Sequence, residues 1–374
     1  MRSIRSSVIR KNLIILYLYY LIMEKLVLSY SDKYLDYNFG PWHPFKPYRE
    51  KRLMELLSKH GLLNTYVDVV EPEPASDEDL MLVHTRDYIE YVKKASETGL
   101  GYLDYGDTPA FKGIHEAAAV RVGGTLLVTK LVHEGRYAHG FNPGGGFHHA
   151  KPSEAAGFCV YNDIAIAVRW LRKRGVRRVA VVDVDVHHAD GTQEVLNGED
   201  VLLISTHGYD GNFYPGTGWI DEDGVGPGRG LKVNVPLPPR TGDDVYSMVV
   251  DEVIRPIIER YSPEFIILQF GVDAHAGDEL GILNLTTASY IKVLNTVHEI
   301  AHKYADGRLV LTGGGGYNVW NTVKTWFLAV VLLTNPEMIN KYGDYMDKEQ
   351  TTTPARYYEE ALYIIDAIKE RFSL

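Results

Sequence analysis

The segment Val179-Ala-Val-Val-Asp-Val-Asp-Val-His-His188 constrains the fold more than any other part of the chain. Its valines suit a strand covered on both faces, because buried parallel strands read as near-continuous apolar runs. Asp183, Asp185 and His187 nevertheless occupy every second position, so their side chains share one face. Carboxylates beside a buried sheet are very costly unless they are paired or hold a metal. A strand-end turn with solvated aspartates is the plain alternative; a divalent cation at the strand's rim is the sharper reading.

Short apolar or β-branched runs of this kind recur along the chain. Candidate strands are Leu26–Ser29, Thr65–Val70, Tyr137–Gly140, Arg178–Asp183, Val201–Ser205, Lys232–Val235, Phe265–Phe270 and Arg308–Leu311. Helical patterns fill the gaps at Asp77–Ala95, Gly113–Glu134, Asp163–Arg174, Asp243–Tyr261, Thr287–Tyr304 and Asn318–Leu333, with a last amphipathic helix at Pro354–Phe372. Ser76 with Asp79 forms a capping-box-like start. This alternation predicts an α/β fold: a single open, mostly parallel eight-stranded sheet with helices on both faces. Polar and glycine clusters follow five of the strands, at Pro143–His149, Asp183–Asp190, Ser205–Tyr209, Gly271–Asp278 and Gly313–Tyr317. Ligand sites in open α/β sheets lie beyond the carboxyl ends of the strands, so these clusters point to one site along one edge.

A second buried-looking strand, Phe265-Ile-Ile-Leu-Gln-Phe-Gly-Val-Asp273, also ends in a carboxylate. Two carboxylates and one imidazole make a three-ligand set with an open position for water, as catalytic zinc requires. In Asn142-Pro-Gly-Gly-Gly-Phe-His148-His149 the glycines allow close backbone approach to a ligand. A neutral imidazole there can take a proton from water and return it to a leaving amine. Asp183 and Asp190 are available to orient the two rings. Leu309-Val-Leu-Thr-Gly-Gly-Gly-Gly-Tyr317 matches neither a dinucleotide fingerprint nor a phosphate-binding loop. Tyr317 reads instead as a donor aimed at a developing oxyanion.

Composition narrows the field. With 39 Lys and Arg against 49 Asp and Glu, the formal charge is −10, and no basic block interleaved with aromatics follows residue 30. Direct nucleic-acid binding is disfavoured, whereas a cationic substrate or basic protein tail would be attracted. Cys159 is the only cysteine, so intramolecular disulfides and cysteine-rich zinc sites are excluded and a reducing, cytoplasmic setting is expected. Residues 1–22 place Arg2, Arg5, Arg10 and Lys11 before the apolar run Leu13–Ile22. That run is too short to span a membrane and carries three tyrosines, so we read 1–22 as lying upstream of a true start at Met23 and 23–374 as one catalytic domain.

Together these motifs resemble the histone deacetylase superfamily, including its acetoin-utilisation-type members from bacteria and archaea. The similarity runs from about Tyr30 to about Leu333, through His43-Pro44, Leu82-Val-His-Thr-Arg-Asp-Tyr88, the His148-His149 loop, Gly157-Phe-Cys-Val-Tyr-Asn-Asp163, the Asp183–His188 segment, Tyr214-Pro-Gly-Thr-Gly218, Gly271–Asp278 and Gly313–Tyr317. The ordered series is far more specific than any one motif. The resemblance implies the arginase/deacetylase-like version of the fold and a linear acyl-amide, acetyl-lysine in proteins or peptides, as substrate. It implies one zinc ion on Asp185, His187 and Asp273, with Tyr317 polarising the scissile carbonyl. It couples His148 to Asp183 and His149 to Asp190, with His149 favoured as general acid/base and His148 as electrostatic support. Gly157, Phe158 and Phe213 match the walls of an acyl-lysine channel, Leu280 its rim, and Asp107 a rim carboxylate that grips substrate amides. A monovalent cation, K+, is implied near Asp183, Asp185, His187 and Ser205. The absence of an obvious dimerisation insert favours acyl-lysine over acylated polyamines or other small acylated amines.

Two rivals carry their own discriminators. A ureohydrolase would need two manganese ions and more carboxylate ligands than can be placed, and would have no use for Tyr317. An inactive acyl-lysine-binding scaffold would show no turnover.

Overall fold

The computed structural model describes residues 25–374. The stretch 1–22 and the start expected at Met23 lie outside the described residues. Eight strands form one sheet: β1 (Leu26–Ser29), β2 (Val67–Val70), β3 (His139–Asn142), β4 (Val179–Asp183), β5 (Leu202–Gly208), β6 (Lys232–Leu237), β7 (Phe265–Gln269) and β8 (Leu309–Thr312). Their order is β2-β1-β3-β8-β7-β4-β5-β6, and every pairing is parallel. All eight expected strands are present, the first with the expected bounds and the other seven with shifted ends. The third begins at His139 and not Tyr137, and runs on through Phe141 and Asn142 because these pair with Leu311 and Thr312 of β8.

Alternate residues of each strand enter different cores. Val179 and Val181 of β4 pack with helices Arg86–Thr98, Ile114–His133 and Asp163–Lys173. Ala180 and Val182 pack with helices Arg49–Lys59, Thr287–Tyr304, Val319–Thr334 and Ala355–Phe372. Both faces are therefore covered, which removes the solvated face that an antiparallel sheet can keep.

The connections explain where the site forms. From β3 the chain crosses to β4, builds outward to β6, then returns to lay β7 and β8 in the gap. The four central strands β3, β8, β7 and β4 thus send their carboxyl ends into one crevice, at the point where the strand order reverses.

Two helical expectations need correction, and one helix was missed. The helix expected over Asp77–Ala95 is two, Asp77–Leu80 and Arg86–Thr98. The Ser76–Asp79 capping box starts the first. Thr85 caps the second by accepting from the Tyr88 N–H, and the intervening His84 turns aside to bridge Lys151 O and Asn162 N–H. The helix expected over Asp243–Tyr261 carries a π-turn at Val250–Ile254, just before Pro256, which has no N–H to continue the α ladder. Helix Arg49–Lys59 was not anticipated at all, because its first turn buries two charges, Arg49 and Glu50. Finally, β5 runs to Gly208, so most of the cluster Ser205–Tyr209 lies inside the strand and not in a loop beyond it.

Candidate active site

The end of β4 carries Asp183, Asp185 and His187, all buried. Asp185 Oδ1 and Asp273 Oδ2 each lie 3.0 Å from His187 Nδ1, and one donor atom from each of the three residues lies within 4.8 Å of the others. The outer oxygens are fixed from behind. Asp185 Oδ2 accepts from Gln269 Nε2 and from the Gly315 N–H, both at 2.8 Å, and Asp273 Oδ1 accepts from the Val186 N–H at 2.8 Å. A side chain at Gly315 would collide with the Asp273 carboxylate, so glycine is required for the loop to close over the cluster.

This donor set fits a divalent metal. His187 Nδ1 holds at most one hydrogen, yet two buried carboxylates face it. Burial and the neighbouring Asp185 charge push Asp273 up. Burial pulls His187 down, but its bonds to Asp185 and Asp273 outweigh this and raise it. Three groups compete for too few protons, and a cation among them resolves the conflict. With two oxygens and one nitrogen, Asp185, His187 and Asp273 leave a coordination position towards the cavity.

Above the cluster sit two imidazoles. His148 Nδ1 is 2.9 Å from Asp183 Oδ2, His149 Nδ1 is 2.6 Å from Asp190 Oδ1, and the two Nε2 atoms are 3.0 Å apart. If both Nδ1 atoms donate to their carboxylates, one further proton must lie between the Nε2 atoms. Burial lowers His148, but Asp183 and Asp185 outweigh it and hold the ring at about 9. Burial, then the charge on His148, push His149 down to about 4, against Asp190. The shared charge therefore resides on His148, and His149 is neutral. His188, the second histidine of its pair, faces elsewhere, bonded to Thr217 and Gln193.

Tyr317 closes the far wall. Asp278 accepts from its backbone N–H at 2.7 Å, and burial raises its hydroxyl well above the ordinary phenol range, so the group is a neutral donor. Asp185, His187, His148, His149 and Tyr317 line a narrow pocket with Gly157, Phe158 and the unanticipated Phe45, Phe147 and Cys159. A side chain at Gly157 would strike the His149 ring. Phe158 has φ of 67°, a costly conformation for a bulky residue. The Thr108 hydroxyl, which accepts from its N–H, and the Tyr37 hydroxyl, which donates to its carbonyl, hold it there.

The other expected site residues lie around this pocket and not in it. Phe213 stacks on the His187 ring, centroids 5.0 Å apart and planes 13° apart. Asp107 opens onto a neighbouring depression shared with Asp190 and Tyr214, and burial plus the nearby Asp104 raise it to about 7. Leu280 is exposed, on a loop whose Asp278 ties it to Tyr317. Ser205 lies behind the site, its hydroxyl accepting from the Ala189 N–H and 3.0 Å from His207 Nδ1.

A histone deacetylase domain model matches residues 43–333. The chain belongs to the histone deacetylase family. It is 39% identical over 297 residues to a probable deacetylase of Archaeoglobus fulgidus, covering 78% of this chain and 81% of that protein. It is also 39% identical over 313 residues to the acetoin utilization protein AcuC of Bacillus subtilis, covering 81% of each. The crystal structure of the HDA15 HD domain superposes with a TM-score of 0.81 at 28% identity, covering 92% of this chain and 94% of that one. No helix among the described residues is long and apolar enough to cross a membrane.

This family member supports its glycine loops with parts that sequence reasoning missed. Buried Arg49 donates to the carbonyls of Gly314 and Gly316, and buried Arg121 donates to Gly144 O, Tyr34 O and Glu50 Oε1. Asp163 accepts from the Gly146 and Phe147 N–H groups. The one available signal was polarity inside apolar runs, as at Gln269 and Asn142.

Proposed function

We propose that this chain is a zinc-dependent hydrolase that removes the acetyl group from acetylated lysine side chains. The observation that carries the reading is the convergence, around one pocket, of the Asp185–His187–Asp273 donor set, the carboxylate-bound His148–His149 pair and the Tyr317 phenol. A zinc ion held by the first three supplies Lewis acidity towards a carbonyl and a water.

The chain's own residues do the rest. The extended acyl-lysine enters between Phe158 and Phe213, with Gly157 leaving room beside His149. With the His148 proton turned away from it, His149 Nε2 accepts a proton from the attacking water while Asp190 steadies the imidazolium that forms. His148, wedged against Asp183 and Asp185, supplies fixed positive charge. Tyr317 donates its O–H to the developing oxyanion. His149 then returns the proton to the departing amine, leaving acetate and free lysine. Asp107 accepts from substrate backbone amides and Leu280 lines the rim. A monovalent cation belongs near Asp183, Asp185, His187 and Ser205, where it offsets the excess of carboxylate charge.

The test is turnover by the purified zinc form on acetyl-lysine peptides, longer acyl-lysines and acetylpolyamines. Highest kcat/KM is expected on acetyl-lysine peptides, with His149→Ala abolishing turnover. Preference for acetylpolyamines would reassign the substrate; no turnover on any acyl-amine would end the reading.

A further inference from the structure

Among the described residues a second group of potential metal donors exists, far from the crevice in the fold: His139, His298 and His302. His139 opens β3, at the strand end opposite the one that leads to His148, and it is 2% exposed. His298 and His302 stand four apart on helix Thr287–Tyr304, a spacing that places two rings on one helical face. The helix runs antiparallel to its strands, so its last turns reach the amino-terminal edge of the sheet.

The three rings converge through the same atom. His298 Nε2 lies 3.1 Å from His139 Nε2 and 3.0 Å from His302 Nε2. Each neutral Nε2 has either one proton or one lone pair, so the central His298 cannot make good hydrogen bonds to both neighbours. No carboxylate pairs with any of the three among the described residues. The nearest in sequence, Glu299, is engaged by Arg255 at 2.9 Å and Asn295 at 2.7 Å. The group is therefore three nitrogen donors aimed at one another with no carboxylate paired to any of them.

We propose that His139, His298 and His302 bind one late first-row divalent ion, clamping helix Thr287–Tyr304 to β3 at the edge of the sheet opposite the catalytic crevice. Tetrahedral zinc at about 2.05 Å from each nitrogen separates its donors by about 3.3 Å, so the His298–His139 and His298–His302 pairs need to spread by only a few tenths of an ångström. An all-imidazole set suits zinc, nickel, cobalt or copper and rejects magnesium and calcium. His302 is exposed, giving the ion an entry path and a water in the fourth position. None of the three histidines lines the catalytic pocket or the depression beside it, so the proposed role is to stabilise and not to catalyse.

The test uses tag-free, zinc-loaded protein with Ni2+ as the probe. Bound nickel and retained zinc are measured by elemental analysis after gel filtration, with the melting temperature recorded in parallel. Wild type is expected to take up one nickel per chain without losing its catalytic ion, and to melt at higher temperature. In His302→Ala and in His298→Gln, nickel affinity should fall more than 100-fold, beyond the cost of losing a mere supporting partner. The melting rise should disappear, while acyl-amide hydrolysis stays within twofold of wild type. Absence of a second ion in the wild type, or equally tight nickel binding by both variants, would overturn the proposal.

Discussion

Replacing Tyr317 by Phe removes one oxygen atom from the pocket wall. Among the described residues no protein group hydrogen-bonds that hydroxyl, while the residue's position is fixed through its backbone N–H by Asp278 and through its ring by Phe158, 6.0 Å away edge to face. Tyr317→Phe should therefore leave stability within about 0.5 kcal/mol of wild type, as for substitutions that break no structural contact. Its catalytic effect should be large, because the phenol is neutral, half-buried at the pocket wall and without a protein partner for its hydroxyl. Loss of one such donor costs about 3 to 4 kcal/mol in the transition state, roughly 100- to 1000-fold in kcat. Steady-state hydrolysis of an acetyl-lysine peptide, with urea unfolding as the control, separates the two effects. A variant whose kcat stays within a few-fold of wild type, or whose loss lies wholly in KM, would refute the oxyanion role.

Three further outcomes are expected. Glu50→Gln leaves the buried Arg121 guanidinium without its 2.8 Å carboxylate partner and should cost about 3 to 5 kcal/mol in urea unfolding; a loss under about 1 kcal/mol would contradict the pairing. His84, which burial lowers to about 4, titrates near 6.5 when unfolded. The unfolded chain thus binds the extra proton first, so this stability is intact above pH 6.5 and is lost as pH falls towards 4, by about 3 kcal/mol, readable as a falling urea midpoint with the His84 ring still neutral by NMR at pH 5.5. Asp107→Ala should raise KM for peptide substrates about tenfold or more at unchanged kcat, the scale of a lost charged hydrogen bond, and leave acylated amines without backbone amides unaffected; equal effects on both substrates would sink its rim role.

What the sequence revealed and what it hid have physical causes. Asp183, Asp185, His187 and Asp273 were legible because ionisable groups that punctuate buried strands need a specific reason to be there. The strands themselves were legible because a sheet buried on both faces has no polar alternation to confuse with loops. Arg49, Glu50 and Arg121 were not legible, since local pattern assigns charges to the surface and only the fold turns these inward beneath the glycine loops. The break at Met81–Thr85 left a cap at Thr85, but apolar periodicity on either side bridged it. The His139–His298–His302 cluster joins residues 159 positions apart, and only the His298–His302 spacing could have hinted at it.

The most direct test of the central claim is a zinc titration of metal-stripped protein, in a His302→Ala background, followed by hydrolysis of an acetyl-lysine peptide. Activity should rise from zero and break sharply at one zinc per chain, and Asp273→Asn in the same background should neither retain zinc nor turn over. Full activity in the stripped protein, a break at two ions, or an Asp273→Asn variant that works normally would contradict it.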